Sequence, residues 1–126
     1  MNGERTESSS GIKVLLQKYY EAVAKGGGWG QLLSEDFLLS GTIARGSVGR
    51  DAYVSNNFFK MVRGLEVKEL IAEGKSGFAI VSYEVVSPKG KRFTSEVAEF
   101  WKAKDGKLAS VAIYFDTAAF EKALAQ

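Results

Sequence analysis

KRFTSEVAEFWKAKDGKLASVAIYFDT, residues 91–117, is the stretch whose reading decides the fold. On both sides of Lys104-Asp105-Gly106 apolar and polar residues alternate with the period of a half-buried strand, and Gly106 permits the left-handed backbone of a tight hairpin. A three-residue loop over 104–106 pairs Ala103 with Lys107. It sets Ser95, Val97, Glu99 and Trp101 beside Phe115, Ile113, Val111 and Ala109, so Glu99 faces Val111. The apolar partners mark this as the buried face, and Glu99 as a carboxyl within it. Asp116 falls one residue out of phase and, with Thr117, reads as the cap of a short final helix over 118–125.

Upstream, LEVKELIAEG and GFAIVSYEVVS are further strands, separated by Gly74 to Gly77 and by Pro88-Lys89-Gly90. Short loops between long strands predict an antiparallel meander. If Ser87 and Gly90 flank a two-residue turn, Phe78, Ile80, Ser82, Glu84 and Val86 join the buried face; a loop one residue longer inverts this. The first choice leaves Val81, Tyr83, Thr94, Glu96, Ala98, Phe100, Ala112 and Tyr114 outside, a face aromatic enough to predict a homodimer interface.

Before the meander, Ile12, Leu15, Leu16, Tyr19, Tyr20 and Val23 form the apolar stripe of a helix starting at an N-cap Ser10 and ending at Lys25, where Gly26 to Gly28 follow. Residues 29–34 form one or two helical turns, FLLSGTI over 37–43 a strand, and Asp51 or Arg50 opens a second long helix to Val62. The expected organisation is a polar, disordered tail over 1–9 and a single domain over 10–126. Its fold class is α+β: a curved, cone-shaped, mostly antiparallel sheet packed on about three helices.

Composition narrows the chemistry. The 126 residues hold no Cys and no His, which removes thiolate nucleophiles, Ser-His-Asp triads and most zinc ligands, so no metal and no cofactor are expected. Seventeen Lys and Arg are interspersed among fifteen Asp and Glu, which argues against nucleic acid. No apolar run approaches the roughly 18 residues of a membrane span, and a cytoplasmic location is the default reading.

What remains is a buried carboxyl with a hydroxyl nearby. A Glu in an apolar pocket resists ionisation, so Glu99 is expected to hold its proton above the ordinary value of about 4.3 and, with the Tyr19 hydroxyl, to form an oxyanion-type donor pair. The expected wall is Leu16, Val97, Trp101, Val111, Ile113 and Phe115, with Glu84 as a second carboxyl if its strand has the first phase. Arg45 or Arg50 would give Glu99 an ordinary ion-pair partner instead, and Tyr19 reads equally well as a core tyrosine.

The element order, together with LQKYYEAVAKG and VAEFWKAKDGKLASVAIYFDTAAF, resembles the nuclear transport factor 2-like superfamily and within it the SnoaL-like proteins, over residues 12–124. That resemblance implies a cystatin-like α+β cone, shared by ketosteroid isomerase, polyketide cyclases, limonene epoxide hydrolase and non-catalytic adaptors. It places Tyr19 on the oxyanion-hole tyrosine and Glu99 on the protonated acid of ketosteroid isomerase. The isomerase's general base falls near Gly41, and the epoxide hydrolase's water-activating aspartate falls on Ile113, so neither activity transfers whole. The expected function is therefore binding of a small apolar, carbonyl-type ligand, with or without isomerase, cyclase or hydrolase chemistry; the alternative is a non-catalytic dimeric binding or adaptor module.

Overall fold

In this computed structural model, residues 3–41 and 48–126 are described, with side chains from residue 11 onward in the first helix. The order is α1 (Gly3–Lys25), a 3-10 turn (Trp29–Leu32), β1 (Leu33–Gly41), β2 (Val48–Gly49), α2 (Arg50–Val54), α3 (Asn57–Met61), β3 (Val62–Glu73), β4 (Ser76–Val86), β5 (Arg92–Lys104), β6 (Lys107–Tyr114) and α4 (Thr117–Ala125). The sheet runs β2-β1-β6-β5-β4-β3, antiparallel except where β1 lies parallel to β6. Register shifts in the β3–β4 and β5–β6 pairs are bulges, and bulges bend a sheet. The result is the expected α+β cone, open rather than a closed barrel.

Helix α1 lays Ile12, Leu16, Tyr19, Tyr20 and Val23 on the sheet, the stripe its periodicity predicts. It ends where expected, with the amides of Gly26 and Gly27 both donating to the Ala22 carbonyl. Its start differs: helical backbone reaches back past Ser10 to Gly3, through a polar segment that holds no proline to end it. The long helix expected to Val62 is two short ones. The Ser55 hydroxyl bonds back to the Asp51 carbonyl at 2.8 Å, and Asn56 turns extended (ψ 135°) and caps the Phe58 amide at 2.7 Å, restarting the helix. Strand β1 likewise begins at Leu33 rather than at Phe37, and the Thr42–Ile43 end of FLLSGTI lies outside the described residues.

The two hairpins exchange the loops expected of them. Between β5 and β6 the turn is the two-residue Asp105-Gly106, both at positive φ (52° and 79°), which pairs Lys104 with Lys107. A bulge follows: Ala103 pairs with Leu108 but Lys102 with Ser110, leaving Ala109 over. Each departure moves the register by one, and together they restore the phase, so Glu99 stays on the buried face but opposite Ile113 instead of Val111. Between β4 and β5 the loop is the three-residue one. The Gly90 amide donates to the Ser87 carbonyl and the Ser87 amide to the Lys91 carbonyl, both at 2.8 Å, with Gly90 at φ 88°. Nothing compensates here, and β4 is inverted relative to the first expectation: Ala79, Val81, Tyr83 and Val85 are buried, while Glu84 is exposed on the outer face.

Candidate functional site

A cavity of about 330 Å³ lies between the concave face of β4–β6 and helices α2 to α4. Its wall is mainly apolar, from Tyr53, Phe58, Phe59 and Met61 on the broken helix, Val97 and Ile113 on the sheet, and Phe115, Phe120 and Leu124 around α4. The Asn56 cap turns the chain so that Phe58 and Phe59 enter this wall, and Phe58 packs on Tyr83 with ring centroids 5.2 Å apart. Asp116 caps α4 by accepting from the Ala119 amide at 2.9 Å, the capping role expected of it, and so orients Phe120 against Phe58 (5.9 Å) and Phe115 (5.4 Å).

Into this apolar wall β5 projects Glu99, 2% exposed. Its Oε1 accepts from the Tyr20 hydroxyl at 2.5 Å and its Oε2 from the Tyr83 hydroxyl at 2.6 Å. The Tyr20 oxygen in turn accepts from the Trp101 indole N–H at 3.0 Å. Burial pushes the Glu99 carboxyl above its usual range, and the donors from Tyr20, Tyr83 and Trp101 oppose this without cancelling it. Burial, then the neighbouring Glu99 charge, raise both Tyr20 and Tyr83, so they act as hydroxyl donors and not as phenolates. A second pair lies close by: the Tyr19 and Tyr53 hydroxyls are hydrogen-bonded to each other.

The sequence-predicted residues divide accordingly. Glu99, Val97, Ile113 and Phe115 line the cavity. Leu16, Trp101 and Val111 are core residues behind it; Leu16 covers Gly77, and Trp101 packs edge-on against Tyr19 at 4.6 Å. Tyr19 reaches Tyr53, and the direct contacts to Glu99 belong to Tyr20 and Tyr83. Glu84 is outside the cavity because β4 has the other phase. Arg50 lies near Asp51 at 3.6 Å, and Arg45 is outside the described residues. Tyr83 was hidden by that phase, and Tyr53 gave no sign beyond being an aromatic in a helix. Among the described residues no group of three or more Asp and Glu could hold a metal ion.

The curved open sheet wrapped on helices has the α+β fold of solved NTF2-like proteins, here with a buried carboxyl in its concave face. The chain belongs to the SnoaL-like domain family, whose model matches residues 16–111. No curated protein matches it in sequence. Among solved structures it is similar to a protein of Jannaschia sp. CCS1 named as a SnoaL-like polyketide cyclase (TM-score 0.79, 13% identity, 93% of each chain). It is also similar to TerC co-crystallised with polyporic acid (TM-score 0.74, 19% identity, 92% of this chain and 98% of that one). A third is a Kribbella flavida protein named as a ketosteroid isomerase (TM-score 0.71, 19% identity, 86% and 80%). At these identities the likeness establishes the fold. Among the described residues no helix is long and apolar enough to cross a membrane.

Proposed function

We propose that the protein binds a small, largely apolar, neutral ligand in the cone cavity, with Glu99 as the polar anchor. The observation that carries this is a carboxyl inside an apolar cavity of about 330 Å³, held by two tyrosine hydroxyls and, among the described residues, paired with no cation. A carboxyl that served only folding would be cheaper to replace with an apolar side chain, since burying it costs several kcal/mol by general estimates. In the neutral state Glu99 offers a proton to a ligand carbonyl; ionised, it accepts one from a ligand hydroxyl or an activated C–H. This is the acid–base repertoire of a cofactor-independent isomerase, cyclase or hydrolase. The names of the structural relatives, a polyketide cyclase and a ketosteroid isomerase, support the same class of ligand.

Prodan, a neutral naphthyl ketone whose emission shifts to the blue in apolar surroundings, tests the pocket. A Kd on the order of 10 μM is expected, as suits a ligand of this size. Ile113→Trp, which fills the cavity from β6, should abolish the shift; an equal shift in that variant, with folding confirmed by circular dichroism, would rule the pocket out.

A second reading, self-association through the outer sheet face, is favoured by one observation. Phe100 faces Phe78 across β5–β4, and Phe78 faces Ile71 across β4–β3, so an apolar row crosses the convex side with Phe100 and Ile71 40% and 60% exposed. It is compatible with the first, because the two faces are separate.

A further inference from the structure

We infer that Tyr53, backed by Tyr19, is a second polar anchor of the cavity, a hydrogen-bond donor for an acceptor atom on the ligand, set beside Glu99. The argument is an account of hydroxyl hydrogens. Tyr19 is fully buried and does not line the cavity, whereas Tyr53 does. The two hydroxyls share one hydrogen bond, which leaves one of the two hydrogens over. Were Tyr53 the donor, the spare hydrogen would belong to Tyr19, sealed in the core between Tyr20 and Trp101, where among the described residues it has no acceptor. A buried hydroxyl left unmatched is disfavoured, so Tyr19 donates and the spare hydrogen is that of Tyr53, facing the cavity. Accepting a hydrogen bond from Tyr19 polarises the Tyr53 O–H and makes it the stronger donor.

Glu99 shows the complementary account. Trp101 donates to Tyr20, Tyr20 and Tyr83 donate to Glu99, and all three hydrogens are used. The ionised Glu99 has no hydrogen of its own left to give, and Tyr53 offers its hydroxyl hydrogen to the same cavity. The ligand chemistry that fits both is a carbonyl or ether oxygen at Tyr53 with a hydroxyl, N–H or acidic C–H a few atoms away at Glu99. This deepens the pocket reading given above and rests on it.

Three size-matched probes separate the anchors: diphenylmethane with no polar atom, benzophenone with an acceptor, and para-benzylphenol with a hydroxyl. Each is titrated by calorimetry into the protein and into Tyr53→Phe, Tyr19→Phe and Glu99→Gln. The unaltered protein should prefer benzophenone to diphenylmethane by about tenfold, the worth of one hydrogen bond. Tyr53→Phe should erase that preference and leave para-benzylphenol unchanged. Tyr19→Phe, acting through Tyr53, should reduce the preference by about two- to threefold. Because each preference is a ratio within one variant, a loss of folded protein does not imitate the result. A benzophenone preference that survives Tyr53→Phe, or that suffers more in Tyr19→Phe than in Tyr53→Phe, overturns the assignment. Failure of all three probes to bind the unaltered protein overturns the pocket reading itself, and the Tyr53 assignment with it.

Discussion

The carboxyl of Glu99 is the residue on which pH should act. Its folded-state pKa is raised, so the folded chain binds its proton more tightly than the unfolded one. Stability therefore falls as pH rises from about 4.3, the unfolded value, through the raised folded value, and is flat below both. Glu99→Gln removes this titration while keeping an acceptor for one tyrosine and a donor for the other. The variant should gain melting temperature relative to the parent as pH rises from 4 to 8, on the order of a few degrees; a difference in melting temperature that does not change with pH would show that Glu99 does not titrate differently on folding. The buried phase of Glu99 was legible in the sequence, because the alternation of β5 sets it among Val97 and Trp101. Its partners were not, since adjacent tyrosines at 19 and 20 both fall on the buried stripe of α1 and only the docking of that helix decides which hydroxyl meets which group.

At the scale of elements, the joint between β1 and β6 leaves no room for a side chain at Gly41. Gly41 sits at φ +113° with its missing Cβ only 2.1 Å from the Ile113 carbonyl oxygen, so no side chain fits there without parting the strands. Gly41→Ala should cost about 3 kcal/mol or more in urea denaturation, from strain and the lost parallel pairing. A loss under about 1 kcal/mol would mean that the strands part without penalty. A glycine inside a strand is the usual sign of a bulge or a close backbone approach, and at Gly41 the close approach is to the very strand that carries Ile113 into the cavity. By contrast, the phase of β4 hung on whether one loop holds two residues or three, and Pro88-Lys89-Gly90 admits either locally. The Ser87 hydroxyl, which accepts from the Lys91 amide at 3.0 Å, helps to hold the longer form. The broken helix is of the same kind: the Asn56 cap is worth about 1 kcal/mol, and Asn56→Ala should lower stability by that amount and loosen Phe58 and Phe59 in the cavity wall. Prodan emission less blue-shifted than in the parent would register the loosening, whereas an unaltered spectrum would show that the cap does not set the wall.

For the molecule as a whole, the two faces of the sheet have separate uses in this reading: the concave one encloses the cavity and the convex one meets a second copy. The predicted homodimer should appear in sedimentation as a species of twice the chain mass. Phe100→Lys, which puts a charge in the middle of the row, should raise its dissociation constant by about a hundredfold or more if Phe100 is a hot spot. Prodan binding should be untouched in that variant, because Phe100 points away from the cavity. A monomer in the unaltered protein at high concentration would remove the interface.

What the sequence alone determined was the class of fold, the amphipathic stripe of α1, the four-strand meander with its hairpins, and one carboxyl inside. All of these follow from local periodicity and turn chemistry, which act over a few residues. Only the tertiary structure decided that the β5–β6 turn and bulge cancel while the β4–β5 loop does not, and that Tyr20 and Tyr83 hold Glu99. It also brought Tyr53 and the α3 aromatics, distant in the chain, into the cavity. The physical reason is that side-chain direction in a strand reverses with each residue, so single-residue choices in loops, nearly degenerate locally, are settled by which face the rest of the core can bury.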